Sequence, residues 1–172
     1  MLLGSFDRLL LARGYDDLSV RELTAAANVG RSTFYEHFEG KHDLLEHSVT
    51  RPLALIAEAA TTAVPSDALR DILTHLRAHR ALTGALLQGS TRPIMIGVLA
   101  RNLERHLTAL ARRSAAPPIA PLEFLAESLA HAQLGAVDAW LSGDGRYDVQ
   151  TVACVLHATT RAGVAAMFAS GG

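Results

Sequence analysis

Residues 18–45 read LSVRELTAAANVGRSTFYEHFEGKHDLL, and this stretch decides the fold. Ser19 and Glu22 form an S-x-x-E capping box, which predicts a helix starting at Val20. Val20, Leu23 and Ala27 then share one face at helical spacing. Asn28 follows three alanines, and asparagine tolerates the left-handed backbone that a sharp helix exit needs. Gly30 opens a second short helix, in which Phe34 and Phe38 form an inward i, i+4 pair. Two short helices, a tight turn and small residues at the crossing describe a helix-turn-helix. Its outer surface carries Arg31, Ser32, Thr33, Tyr35, Glu36 and His37, side chains suited to phosphates and base edges.

From about Leu3 to Val49 the chain resembles the DNA-binding region of the tetracycline-repressor (TetR) family of bacterial transcription regulators, most specifically in the T-F-Y-x-H-F-x-x-K segment of residues 33–41. The resemblance implies an all-α, nine-helix fold. A helix-turn-helix head over residues 1–48 would precede an effector-binding and dimerisation domain over 49–172. It also implies roles for matching positions. Arg21, Thr33, Tyr35 and Lys41 would anchor the DNA backbone, and Arg31, Ser32 and His37 would read base edges, with Tyr35 able to reach a thymine methyl. Glu36 repels phosphates on that face unless it accepts from a cytosine amino group. A basic arm usually precedes the first helix in the family, whereas this chain starts almost inside that helix.

Composition agrees with helices. The 172 residues suffice for a substantial core, 49% are hydrophobic, and runs at strand spacing are missing. No apolar stretch reaches the ~18 residues of a membrane span, and a single cysteine, Cys154, fits a reducing cytoplasm. A cytoplasmic, nucleoid-associated protein is expected. Charge is no evidence for DNA binding: residues 1–50 hold five Lys/Arg against eight Asp/Glu, and Lys41 is the only lysine.

In chain order, a first helix spans residues 2–13 on an apolar stripe of Leu3, Phe6, Leu9 and Leu10, with Gly14 ending it. After the motif a long helix starts near His42, and Pro52 is expected to kink or end it. Ser66 caps a helix over Asp67 to about His79, and Gly84 and residues 88–93 bracket a short helix around Leu82–Leu87. Longer helices follow at Ile94–Arg113, Leu122–Leu141 and, capped near Asp148, to about Ala169. A turn at Ser142-Gly143-Asp144-Gly145 separates the last two.

Those two helices carry Ala or Gly at positions such as 130, 132, 135, 136, 153, 158, 162, 163 and 165, so they are apolar around most of their circumference. Such helices require burial on most sides, which predicts a homodimer through them. A pocket between the middle helices is expected by analogy with the family. Its candidate lining is His79, Leu86, Met95, Leu99, Leu103, His106 and Trp140, a largely apolar set suited to a small hydrophobic effector.

Other chemistry finds little footing. His75 and His79 are an i, i+4 pair without a third ligand, so no metal and no cofactor is expected. Cys154, between apolar neighbours, is expected to be a buried small hydrophobe. No nucleophile elbow or phosphate-binding loop occurs, so an enzyme is not expected. The chain reads as a ligand-responsive repressor that binds a palindromic double-stranded operator as a homodimer and is released by a small effector. The alternative is a dimeric ligand-binding module whose head no longer binds DNA.

Overall fold

The computed structural model describes residues 2–143 and 145–168. Nine α-helices and two single 3-10 turns are present among them, with no strand. The helices are α1 (Leu2–Arg13), α2 (Val20–Ala27), α3 (Arg31–His37), α4 (Lys41–Ala57), α5 (Asp67–Ala78), α6 (Arg80–Leu86), α7 (Arg92–Ala111), α8 (Leu122–Ser142) and α9 (Val149–Met167). The 3-10 turns are Glu58–Ala60 and Gly89–Thr91. The end of the last helix near Ala169, and Asp144 in the turn before it, lie outside the described residues.

Local chemistry sets the helix ends. Both halves of the Ser19–Glu22 capping box form. Asn28 takes the left-handed conformation at φ 52°, and its N–H closes on Ala25 O at 3.2 Å. Gly14 sits at φ 79° after α1, where an L side chain is strained. Ser66 and Asp148 each accept from the backbone N–H three residues on, starting α5 and α9. Residue 93, a proline in the first turn of α7, needs no N–H there, so the helix begins two residues ahead of the expected Ile94.

Two expectations are corrected, and one of the two alternatives for Pro52 is excluded. Pro52 does not end α4, which runs on to Ala57. Leu53 and Ile56 beyond the proline are buried, and packing of this kind offsets the loss of one helical hydrogen bond. Gly84 lies inside α6 rather than interrupting it. Cys154 is exposed, not buried. Its α9 neighbours Ala153 and Leu156 face the core, while Cys154 and Val155 turn outward. Apolar neighbours in sequence do not fix which side of a helix a residue takes.

One continuous core runs from Phe6 to Met167. α7 lies along α8 and also packs on α4, while α1 rests on α2 and α6. Leu44, Leu45, Leu99, Leu103 and Leu107 are fully buried at these crossings. Each contributes about 1.5–3 kcal/mol by leaving water. α9 is pinned to the turn after α4 by polar contacts: His157 Nε2 lies 2.9 Å from Thr62 O, and Arg161 donates to Ala60 O at 3.0 Å. Across the same seam Gln133 of α8 donates to Thr160 Oγ1 at 3.0 Å.

Candidate functional site

The turn between α2 and α3 comprises Asn28, Val29 and Gly30, and it lays α3 across α2 with one side inward. Phe34 fills that side at 1% exposure, and its ring meets Tyr35 edge-on at 5.4 Å. Phe38 is not the second helical residue of an inward pair. It is the extended residue after α3, half-buried, with its ring 5.6 Å from Phe34 and 5.5 Å from His47 of α4. The seven residues of α3 thus have one anchored position, and Arg31, Ser32, Thr33, Tyr35, Glu36 and His37 are all exposed. Arg21, at the start of α2, is exposed as well.

Lys41 differs from these. Its ammonium donates to Tyr15 O at 2.9 Å and Asp16 O at 3.0 Å, and it stands 4.6 Å from the Tyr15 ring centroid. Lys41 therefore ties the start of α4 to the α1–α2 loop, a contact that its place in the sequence does not announce. Burial, reinforced by the neighbouring Asp16 carboxylate, raises the Tyr15 phenol above its ordinary pKa. Asp16 in turn accepts from Ser90 Oγ at 2.6 Å, so the same loop also touches the turn before α7. Glu22 has its carboxyl lowered by the hydrogen bonds from Ser19.

Residues 7–47 match the sequence model of the bacterial regulatory proteins of the tetR family. Over this stretch the chain is similar to the tetR family of bacterial regulatory proteins. The fold agrees across nearly the whole length. A TetR transcriptional regulator from Streptococcus agalactiae 2603V is similar with a TM-score of 0.59 at 21% identity, covering 92% of this chain and 90% of that one. A putative TetR-family transcriptional regulator from Syntrophomonas wolfei str. Goettingen is similar at 0.53 with 16% identity, covering 95% and 93%. No curated protein matches by sequence. The likeness places a helix-turn-helix of the kind found in bacterial regulatory proteins within residues 7–47.

Beneath the helix-turn-helix lies a cavity of about 170 Å3, bounded by α1, α4, α5, α6, α7 and α8, with exposed Leu3, His75 and His79 at its mouth. Of the seven residues proposed from sequence for an effector pocket, His79, Leu86 and Met95 line it. The other four lie elsewhere. Leu99 and Leu103 are fully buried in the α7 core, and His106 is half-buried on the same helix. Burial is the main cause lowering the His106 pKa, with Glu58 opposing it. Trp140 borders a separate open cleft of about 430 Å3 between α8 and α9, and its indole N–H donates to Tyr147 O at 3.0 Å.

The sequence reading missed Asp7 and His75, which also line the cavity. A signal for Asp7 existed: it sits four residues after Leu3, on the edge of the α1 apolar stripe. Among the described residues no group of three or more His, Cys, Asp or Glu side chains gathers to hold a metal ion. No helix among them is long and apolar enough to cross a membrane.

Proposed function

We propose that the protein is a one-component repressor: a homodimer that binds a palindromic operator through α3 and leaves it when a small effector occupies the body. The observation that carries the DNA contact is the α3 surface, where one buried phenylalanine anchors six outward polar or aromatic side chains. In this reading Arg31, Ser32 and His37 meet base edges, and Thr33, Tyr35 and Arg21 hold the backbone. Arg31 takes guanine bidentately, a contact contributing about 1–3 kcal/mol of discrimination. Lys41 contributes to phosphate binding with the one ammonium hydrogen its two carbonyl partners leave over. The division between head and body at residue 48 falls within α4, so that single helix belongs to both.

Support for the dimer comes from exposure along α8 and α9. Phe124 is 62% and Val155 55% exposed, and between them lie outward-facing Ala132, Ala136, Ala139, Ala158 and Ala162. Small side chains let partner helices approach closely, and a two-fold bundle there would set two α3 helices about 34–36 Å apart, one turn of DNA.

Selection of duplexes from a random pool by the purified, effector-free protein at low salt tests the reading. An enriched inverted repeat with half-sites about one turn apart is expected. Failure to enrich any sequence while the protein remains dimeric would favour the second reading, a dimeric ligand-binding module. That reading draws on the head's charge, five Lys/Arg against eight Asp/Glu in residues 1–50.

A further inference from the structure

The cavity under α1 is apolar along most of its wall and polar at one end. Val49, Leu53, Leu86, Met95 and Leu134 supply the apolar part, and Asp7, His75 and His79 the polar end. The two imidazoles lie 4.3 Å apart, and His79 Nδ1 is 3.0 Å from His75 O. A carbonyl only accepts, so that nitrogen carries the proton. In the neutral tautomer with that proton on Nδ1, Nε2 is left as an acceptor. Asp7 presents carboxylate oxygens, also acceptors, and no described residue gives it a hydrogen bond or an ion pair. Burial raises the Asp7 carboxyl above its ordinary pKa despite the two histidines, as expected for a carboxylate short of partners.

We infer that this cavity takes a compact, mostly apolar molecule carrying one cationic, donor-rich head, a small primary amine, with its ammonium at Asp7 and His79. The inference rests on the reading of the chain as an effector-responsive regulator and names the class of effector. The half-buried Asp7 carboxylate is an acceptor without a hydrogen-bond donor, and an ammonium brings three donors together with the opposite charge. Size sets the remainder: a cavity of about 150 Å3 holds a benzene ring, so one ring plus a short arm fits here. The ligand would also touch both helices that flank the recognition motif, through Leu3 and Asp7 of α1 and Val49 and Pro52 of α4. A ligand seated there favours whichever placement of α1 on the body fits it best, which is what shifting a two-state equilibrium requires.

The test is isothermal titration of the full chain with benzylamine, benzyl alcohol and benzoate, for the wild type, Asp7→Asn and Leu86→Trp. Benzylamine is expected to bind at least about tenfold tighter than benzyl alcohol, with benzoate weakest. Asp7→Asn should erase that preference while leaving benzyl alcohol within about twofold, and Leu86→Trp, which fills the apolar part, should weaken amine and alcohol alike. Benzoate binding as well as benzylamine, amine binding indifferent to Asp7→Asn, or no binding by any probe would each overturn the assignment. Duplex selection on the same preparation separates the two claims. Enrichment of an operator without amine binding removes only the ligand class, and amine binding without enrichment removes only the DNA reading.

Discussion

Two helix pairs joined by short turns, α2–α3 and α8–α9, meet solvent in opposite ways. The first is short, with eight and seven residues, and exposes a polar face over one deeply buried aromatic. The second is long, with 21 and 19 residues, and exposes alanines between Phe124 and Val155. A polar exposed face can remain in water until a charged partner arrives. An apolar one of that extent is a standing cost that a partner helix removes. The contrast separates a surface for a transient, polar partner from one suited to a permanent, apolar partner.

The sharpest way to break the contrast is to shorten an aromatic on each side. Phe34→Ala should cost about 3–5 kcal/mol in denaturant unfolding, because the cavity it leaves sits under the whole of α3. Phe124→Ala should cost less than about 0.5 kcal/mol per monomer. Similar losses from the two would mean that α8 is not an outward face.

Next in size is association. Phe124→Glu should raise the dimer dissociation constant by about thirtyfold or more in sedimentation, with helix content unchanged. The same surface carries the only thiol, Cys154. Cys154 should react slowly with a thiol reagent in the dimer and at once in the dissociated variant. Fast reaction in both would move the interface off this side of α9.

Within the head, Arg31→Ala should lose about 1–3 kcal/mol at one base position and little elsewhere. Lys41→Ala should weaken all sequences uniformly, lower the salt slope by about one, and cost about 1–2 kcal/mol of stability by freeing the Tyr15 and Asp16 carbonyls. Binding isotherms over a salt series, paired with melting curves, check both. Equal effects of the two substitutions on every site would dissolve the division between base reader and anchor.

The smallest effects belong to the caps. Ser19→Ala should cost about 1 kcal/mol. The carboxyls of Glu22 and Asp148 are both lowered by their capping hydrogen bonds. Their contribution is therefore present above the unfolded pKa and is lost as pH falls through the folded one, below about pH 4. Asp7 has the opposite sign, since its pKa is raised. Its ionisation opposes folding at neutral pH, and Asp7→Asn should raise the melting temperature there. A lower melting temperature in the variant would mean that Asp7 has a stabilising partner.

Helix number, the capping box, the left-handed Asn28 and the outward set on α3 were all legible from residues a few places apart. Each depends on backbone hydrogen bonding or on periodicity within one or two turns, which a linear sequence records directly. The sequence pattern gave no warning that Lys41 would turn its ammonium onto the carbonyls of Tyr15 and Asp16, 26 and 25 residues away. Nor did it show that Leu99 and Leu103 face the core instead of the cavity, that Cys154 faces outward, or that Asp7 closes a cavity with histidines some seventy residues further along. A heptad of leucines and alanines fits several rotations of a helix about its axis, and the one adopted is the one that packs best against neighbours distant in the chain. Secondary structure was thus written locally. The choice of which apolar face became core, cavity or open surface was made only when the helices had to fill one volume together.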